Sequence, residues 1–499
     1  MAVLQDAGDM MTKANPLDLG DVGLRLTANA SGGFDVSRIG FTLRQPLGDR
    51  LTMADDDTKE ITLPFVFPFF GTGYDRVFVN SDGNLTLAAS DTASSERSVG
   101  RFLSGPPRIA AFFADLDPSR SGAAVLTHAD GDALTVTWCA VPEYGRLSVA
   151  TVQATLQRDG VIEIHVSSRT TARSGVIGVS PGATSDFEPV DLSAEGTTGG
   201  GTSAVGEQFT DSSSLDVVAA ARRFYQTHPD QFDNLVFFTD TQLLTEDAFA
   251  YESLVANRIT GINQSLIDYS SEYGSAGQLE SVCNMDTLSK YPDDPFATFL
   301  GENSTVSVMG QEIGHRWSAF MQFRDYAGRR SSALLGRDQA HWSFFFDSDA
   351  SVMEGNDIED RGNGSFRTVA AVQRYSLLDQ YAMGLVDETQ VPPSFYVENP
   401  ANVSPRRTAT SNPTVGVTFT GTRRNVTIDD IIAVHGRRNP SAADSPRVYR
   451  QAFVYIVSPG TTVDPAAVQK IDRIRVAWDQ FFSQATDSRM RAETRLLAE

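Results

Sequence analysis

The sequence predicts two domains of different class, an all-β domain at residues 1–191 and an α+β domain at residues 215–499, joined by a linker at 192–214. The chain has 499 residues, more than a single hydrophobic core usually organises. Its first part carries short alternating runs between turn signals such as Asp159-Gly160, which is the pattern of antiparallel strands. Its last part mixes short apolar runs with stretches of helical periodicity.

The individual elements follow from the same patterns. In the first domain, alternation predicts strands at residues 23–27, 76–79, 85–87, 134–138, 151–156 and 161–166. In the second domain, periodicity predicts helices at residues 215–227, 304–323, 368–385, 427–435 and 465–484, and strands at 234–239 and 341–346. Between the two domains, Gly, Ser and Thr dominate residues 192–214, so we expect a flexible linker there that a protease cuts first.

Composition excludes several classes of protein. The net charge of −22 argues against a nucleic-acid partner, because phosphate binding needs clustered Lys and Arg. No apolar run approaches the ~20 residues of a membrane-spanning helix. Cys139 and Cys283 fall in different predicted domains, so we expect no disulfide between them. Residues 1–13 lack the pattern of a signal peptide, so the protein is either cytoplasmic or has had its signal removed.

Three segments of the first domain carry a resemblance. Residues 63–71 (LPFVFPFFG), 77–85 (VFVNSDGNL) and 107–118 (PRIAAFFADLDP), followed by 135–138 and 157–163, resemble in that order the nidogen-like β module of extracellular proteins. The resemblance implies an extracellular interaction or spacer module without catalysis, and a partner in the extracellular matrix or on a cell surface. It also favours removal of a signal peptide over a cytoplasmic protein.

Four polar residues of the same domain offer oxygen ligands: Asp82, Asn84, Asp115 and Asp117. Ca²⁺ prefers such carboxylate and carbonyl oxygens, so a calcium site is one interpretation. The other interpretation is that these side chains cap turns through their own backbone.

The second domain contains one motif that carries chemistry, Gln311-Glu312-x-x-His315. A zinc peptidase uses two imidazoles at i and i+4 on one helix face and a Glu beside the first to polarise a water molecule. Here Glu312 and His315 occupy the positions of the general base and of the second ligand, but Gln311 replaces the first His. Gln coordinates through a neutral carbonyl oxygen and is a poorer ligand for Zn²⁺ than imidazole.

The surroundings of this motif resemble a group of secreted bacterial zincin-like metallopeptidases over nearly all of residues 215–495. The similar segments are 224–238, 335–338 (LGRD), 341–345 (HWSFF), 351–356 (SVMEGN), 375–385 (YSLLDQYAMGL) and 428–482. The resemblance implies a zincin fold, and peptidase activity where the ligands survive. Algal metallopeptidases similar to gametolysin include members with Gln at the first position. Three interpretations of Gln311 therefore stay open: an adjusted working site, a degenerate pseudo-enzyme, or a substitution introduced for study.

The third metal ligand must come from beyond the helix, because the elongated metzincin pattern would require Gly at Ser318 and His at Met321. His341 is the first candidate, and its alternative is a strand histidine bonded to a backbone carbonyl. Further candidate ligands or stabilisers are Asp347, Asp349, Glu354 and Tyr381. The hydroxyl of Tyr381 would stabilise an oxyanion; the alternative is that its ring packs in the hydrophobic core.

The expectation from the sequence is a secreted zinc-dependent metallopeptidase-like protein that hydrolyses peptide bonds of a protein or peptide substrate. Glu312 would activate water, and His315, His341 and Gln311 would hold the metal. The alternative is a catalytically inactive zincin-fold protein that acts in extracellular binding or adhesion.

Overall fold

The computed structural model describes residues 1–94, 96–184, 186–194, 196–199, 201–244 and 249–496. Two units account for the chain. The first, here called the N-terminal unit, comprises Ala7–Gln226 with Glu272–Gly274. The second, the C-terminal unit, comprises Met1–Asp6, Thr227–Ser271 and Ser275–Glu499.

Two large β-sheets build the N-terminal unit. The eight-stranded sheet has the order Thr197–Gly199, Phe34–Gly40, Val22–Ala28, Ile162–Val166, Val149–Gln157, Ala133–Pro142, Ala124–Ala129 and Asp49–Leu51. The seven-stranded sheet has the order Phe187–Pro189, Ala204–Phe209, Gly175–Ser180, Arg108–Phe113, Asn84–Thr86, Thr72–Asn80 and Thr58–Phe69. Met11–Thr12 pairs with Ser214–Leu215, and the helices are α1 (Val99–Ser104) and α2 (Val217–Tyr225). The expected all-β class fits this unit.

Side chains from both sheets share one core, in which Trp138 is fully buried and donates its indole N–H to the Asn80 carbonyl at 3.0 Å. The strand Thr58–Phe69 shows how the sequence specifies this core. From Leu63 to Phe69 every second side chain is buried and the residues between them are exposed, as a half-buried strand requires. This strand lies at the edge of its sheet, where its two prolines cost no ladder hydrogen bond.

The expected linker and the first helix after it belong to the N-terminal unit. Residues 204–209 form a strand between Gly175–Ser180 and Phe187–Pro189, in which Ala204, Val205 and Phe209 are buried. The N-cap of α2, Asp216, accepts hydrogen bonds from the amides of Val218 and Ala219 and also from the amide of Gly100 in α1. The structure therefore differs from the sequence expectation, since the change of unit falls after Gln226.

A mixed sheet is central to the C-terminal unit. Its strands run in the order Ala2–Gln5, Val448–Val457, Asn234–Thr239, Ser281–Thr287 and Tyr251–Leu254, with Arg491–Glu493 also beside Val448–Val457. All pairs are parallel except the last, at Tyr251–Leu254. A second, antiparallel sheet has the order Asn356–Asp360, Ser365–Ala371, Thr418–Val426 and Ser394–Ala401.

Four α-helices and several short elements complete this unit. The helices are α3 (Thr305–Gly314), α4 (Leu377–Met383), α5 (Ile428–His435) and α6 (Pro465–Ala485). The short strand pairs are Ala256–Asn257 with Ile267–Asp268, Thr298–Leu300 with Asn303–Ser304, and Phe323–Arg324 with Arg330–Ser331; 3₁₀ turns occupy Leu288–Lys290, Arg337–Gln339 and Glu388–Gln390. Within the described ranges no helix combines the length and the apolar character needed to cross a membrane.

Three expected elements of this unit were wrong in part. The helix expected at 368–385 is confined to α4, since Ser365–Ala371 is a strand that pairs on both sides. Phe366 and Thr368 are buried while Arg367 and Val369 are exposed, which is the two-residue repeat of a strand. The helix expected at 304–323 ends at Gly314. Residues 341–346, expected as a strand, form no strand; Leu335 and Trp342 make an isolated bridge.

Candidate metal centre

Helix α3 carries the motif singled out in the sequence. Its N-cap, Ser304, forms a capping box with Ser307, and the helix ends with His315 as C-cap. Glycines allow one face to pack closely. A Cβ at Gly310 would lie 2.9 Å from the Phe481 ring, and one at Gly314 would lie 2.2 Å from the Met353 sulfur.

Tyr375 also packs on this face, and its hydroxyl donates to the Gly310 carbonyl at 2.6 Å. The glycine face is thereby fixed against the core, so that the face carrying Gln311 is held in one orientation.

Three side chains converge beside α3. The amide Nε2 of Gln311 lies 2.9 Å from Nε2 of His341 and 3.4 Å from Nε2 of His315. The two imidazole rings are nearly perpendicular, with centroids 4.9 Å apart. Gln311 and His341 are buried, with 6% and 5% of their surface exposed, and His315 is intermediate. The structure thus brings together three of the residues that the sequence proposed as ligands.

The tautomer of His341 follows from its neighbours. Its Nδ1 lies 2.9 Å from the Arg337 carbonyl, which can only accept, so Nδ1 carries the proton. In the neutral ring Nε2 is therefore an acceptor, and Gln311 donates to it. The Arg337 guanidinium, 3.1 Å away, donates to the same nitrogen and also to the Glu354 carboxylate at 2.8 Å.

The electrostatics favour neutral imidazoles at this site. Loss of hydration, together with the neighbouring His341 ring, lowers the pKa of His315 to about 3. Burial also lowers the pKa of His341, against the opposing charge of Glu354. Glu312 is 7% exposed, and burial raises its pKa well above the ordinary value, with Glu252 and Glu354 adding to the rise. The site therefore presents two neutral ring nitrogens and a carboxyl group that a nearby cation would help to ionise.

A buried carboxylate, Asp379, supports this arrangement from behind. Its Oδ1 accepts from the Ser318 hydroxyl at 2.5 Å and from the Trp342 indole N–H at 3.0 Å. Its Oδ2 accepts from the Ser351 hydroxyl at 2.6 Å and from the amide and hydroxyl of Ser376 at 2.8 Å each. Sequence reasoning did not identify this role, although Asp three residues after Ser before an apolar run is a capping-box signal.

The position of these donors in the chain gives Asp379 its importance. Ser318 lies three residues after His315, and Trp342 directly follows His341. One carboxylate therefore ties together the two chain segments that supply the imidazoles. Such outer hydrogen bonds orient the residues that contact a metal.

Four other candidates lie outside the cluster of Gln311, His315 and His341. Glu354 reaches it only through Arg337. The hydroxyl of Tyr381 accepts from the Arg438 amide at 2.9 Å, as a packed core residue does. Asp347 and Asp349 line a separate pocket.

The candidate calcium ligands of the N-terminal unit are already engaged. Asp82 binds the Arg97 guanidinium at 2.8 Å, Asn84 accepts from Arg108, and Asp117 accepts from the amide and hydroxyl of Ser119. The contacts of Asp117 fit the turn-capping interpretation, whereas Asp82 and Asn84 contact arginine side chains instead.

The sequence did not single out Asp55 and Asp56, which meet Asp115 with carboxylate oxygens within 4.8 Å of one another. The run Asp55-Asp56-Asp57 was the only available signal. Arg97 bonds Asp56 and lies 3.2 Å from Asp115, so a guanidinium offsets part of this charge.

Comparison with known proteins identifies part of the chain. No curated protein and no solved structure matches it. Residues 38–225 match a family model described as NIDO related. The match ends at the last residue of α2, one residue before the end of the main segment of the N-terminal unit. The match therefore supports a nidogen-related domain in the N-terminal unit.

Proposed function

We propose that the C-terminal unit is a zincin-like, zinc-dependent metallopeptidase domain whose metal site is weakened at Gln311. The observation that carries the proposal is the convergence of Gln311, His315 and His341, with Nε2 distances of 2.9 and 3.4 Å. Glu312, next to Gln311 on α3, supplies the carboxyl group that such chemistry needs.

The spacing of these atoms suits a tetrahedral ion. Zn²⁺ binds His nitrogen at about 2.1 Å, which places neighbouring ligand atoms about 3.4 Å apart. Of the two distances measured from Gln311, the 3.4 Å to His315 matches that edge length, and the 2.9 Å to His341 is about 0.5 Å shorter. Rotation of the Gln311 amide by half a turn would bring its oxygen, the atom that ligates, to the place of its nitrogen; oxygen and nitrogen of an amide have nearly the same shape.

Two features weaken the site. The Gln311 carbonyl is a neutral oxygen ligand where imidazole would bind more tightly. The guanidinium of Arg337 also competes for the His341 nitrogen at 3.1 Å, and its positive charge opposes a second cation. Because 41% of the Arg337 side chain is exposed, it has room to turn away while it keeps its ion pair with Glu354.

The residues of the chain divide the work of hydrolysis as follows. Zn²⁺, when bound, supplies the Lewis acidity that polarises a peptide carbonyl and a water molecule. Glu312 would take a proton from a water molecule at the site and pass it to the leaving amine. His341 keeps its Nε2 lone pair on the site because the Arg337 carbonyl holds the proton on Nδ1. Asp379 holds together the two chain segments that carry His315 and His341.

A second candidate function has its own observation. Gln311 and Arg337 both donate to His341, so the Nε2 atom of this ring is already hydrogen-bonded without any metal. This supports an inactive zincin-fold protein that acts in extracellular binding. In either case, the nidogen-related domain supports an extracellular protein with a partner on a matrix or cell surface.

Zinc content and competition with a chelator test the proposal. We expect weak, substoichiometric zinc in the purified protein, and at least tenfold tighter binding in Gln311→His, because the substitution creates two imidazoles on one helix face. Arg337→Ala should also tighten binding, whereas Arg361→Ala, an exposed arginine paired with Glu359, is the matched control and should not.

Peptidase activity on an unfolded protein substrate completes the test. Activity should rise in Gln311→His and disappear in Gln311→His/Glu312→Ala, while the double variant keeps its zinc. A His variant that still binds no zinc would refute the proposal in favour of the inactive protein. Wild type with tight, stoichiometric zinc and equal activity would show that Gln311 is not a weak point.

A further inference from the structure

A pocket within the C-terminal unit lies apart from the residues of the proposed zinc site. It has a volume of about 130 Å³ and opens to solvent. Nine of its lining residues are apolar, and they are contributed by four chain segments: Phe346, Leu377, Leu378, Val391, Pro392, Pro393, Val426, Ile428 and Ile431. This composition matches small-molecule sites, which are mostly apolar with a few polar groups that orient the ligand.

The four hydroxyl groups that line the pocket already have acceptors inside the protein. Ser348 donates to the Asn356 carbonyl, Ser376 to the Asp379 carboxylate, Ser394 to the Asp347 carbonyl and Thr427 to the Asp430 carboxylate. A ligand therefore does not find a free hydroxyl donor among them.

Two helices begin at the pocket, which by itself would favour an anion. However, each N-terminus is closed by a carboxylate of its own helix. The Asp379 carboxylate accepts the Ser376 amide in α4, and the Asp430 carboxylate accepts the Thr427 amide in α5, both at 2.8 Å. These capping boxes offset the positive helix ends, so an anionic ligand gains little there.

The remaining polar groups of the pocket are the carboxylates of Asp347 and Asp349. Asp347 accepts the Ile358 amide at 2.9 Å, and the nearest cation to Asp349 is Arg374, at 3.9 Å between two largely exposed side chains. No Lys, Arg or His belongs to the fifteen lining residues, all of which the structure describes. Burial, with the charges of Asp357 and Asp349, raises the pKa of Asp347 to about 6, as a carboxyl group without a close cation requires.

We propose that this pocket binds a small organic cation, an ammonium group on an apolar body, with the hydrocarbon against the Leu378 and Ile431 wall and the charge at Asp347 and Asp349. The apolar wall provides hydrophobic contact, and the two carboxylates are the charged side chains among the fifteen lining residues. The inference does not depend on zinc binding.

Three probes with one hydrocarbon body test the proposal by calorimetry on the full chain at pH 8. They are 4-phenylbutylammonium, the neutral 4-phenylbutanol and the anionic 4-phenylbutyrate. We expect the ammonium to bind about tenfold more tightly than the alcohol, because it gains a charge interaction at a partly exposed site, and the carboxylate to bind most weakly. Equal binding of the three probes, or the absence of ammonium binding, would overturn the proposal.

Two variants locate the charge. Asp347→Asn/Asp349→Asn should reduce ammonium affinity to that of the alcohol and leave the alcohol unaffected. Both substitutions are conservative, since Asn keeps an acceptor for the Ile358 amide and tolerates the positive φ of 54° at position 349. Asp429→Asn, on α5 but outside the pocket lining, is the matched control. If the double variant binds the ammonium as wild type does, the site lies elsewhere and the inference is wrong.

The pH dependence gives a third measurement. The charged groups that act on Asp347 are Asp357 and Asp349, and Arg374 in turn acts on Asp357 and lies 3.9 Å from Asp349. Because Asp347 ionises as the pH rises through about 6, ammonium affinity should increase from pH 5 to pH 8, and alcohol affinity should not. An ammonium affinity independent of pH over this range would count against Asp347 as the partner.

Discussion

Replacement of Asp379 by Asn should loosen both imidazole-bearing segments. The Asn oxygen can still accept from Ser318 and Trp342. Its NH₂ group, however, would face Ser351 and Ser376, and the Ser376 amide is a donor that cannot turn away. Each lost hydrogen bond to a buried charge costs about 1.5–3 kcal/mol. Part of this loss is offset, because burial of the neutral Asn side chain costs less hydration than burial of the carboxylate. We expect a net destabilisation of about 3 kcal/mol.

Asp430→Asn is the matched control. Asp430 makes the same capping box in α5, with the amide and hydroxyl of Thr427, and no other hydrogen bond to its carboxylate is recorded among the described residues. Losing a cap costs about 1 kcal/mol, so the two variants should differ by about 2 kcal/mol.

Urea unfolding followed by tryptophan fluorescence measures this difference, since Trp317, Trp342 and Trp478 lie in the C-terminal unit and only Trp138 lies in the other. Hydrogen–deuterium exchange at the histidine C2 positions adds a local measurement. Exchange at His315 and His341 should accelerate in Asp379→Asn and stay unchanged in Asp430→Asn. Equal destabilisation by the two variants, with unchanged histidine exchange in both, would refute the role given to Asp379.

Two further predictions concern packing and buried charge. Gly314→Ala should destabilise the C-terminal unit by about 2 kcal/mol, because the new Cβ would lie 2.2 Å from the Met353 sulfur in a full core. This loss should outweigh the preference of Ala for helix, which is about 1 kcal/mol. A thermal melt that shows stabilisation would contradict this. Arg108→Lys should cost the N-terminal unit about 3 kcal/mol, since Arg108 is 1% exposed, bonds Asp91 and lies 4.3 Å over the Phe113 ring. The exposed Arg76→Lys should cost under about 0.5 kcal/mol, and equal losses in a urea titration of the two variants would contradict the distinction.

Much of the candidate site was accessible from the sequence because its spacing is local. Residues 311 and 315 are four apart, so any helix there places them on one face. His341 was chosen because it is the next histidine along the chain, within a segment that resembles the zincin-like group. The contacts of Arg337 were not accessible, since they depend on a 3₁₀ turn in which Asp338 has a φ of 55°. Nothing in the residue types specifies that conformation.

The fold was predictable where pairing is local and not where it is distant. Alternation with Asp-Gly turns located the strands of the N-terminal unit, because hairpins join neighbours in sequence. The end of the strand Ser365–Ala371 was joined to the following helix in the prediction. Its nearer partner, Asn356–Asp360, was not predicted as a strand, and its other partner, Thr418–Val426, lies about 50 residues later. Ala204–Phe209 was mistaken for linker because its Gly-rich flanks suggested flexibility and its pairing with Gly175–Ser180 and Phe187–Pro189 was not visible in the sequence.

The strand Ala2–Gln5 has a consequence for how the protein responds to cleavage. It adds to Val448–Val457, on the opposite side from Asn234–Thr239. The polypeptide therefore leaves the C-terminal unit after Asp6 and re-enters it at Thr227. A protease that cuts within residues 192–214 would produce a smaller N-terminal fragment and a larger C-terminal fragment. The strand Ala2–Gln5 of the smaller fragment would still pair with Val448–Val457 in the sheet of the larger fragment. We expect the two fragments to elute together in native buffer and to separate only in denaturant, so that a gel without size-exclusion data would misreport the nicked protein as dissociated.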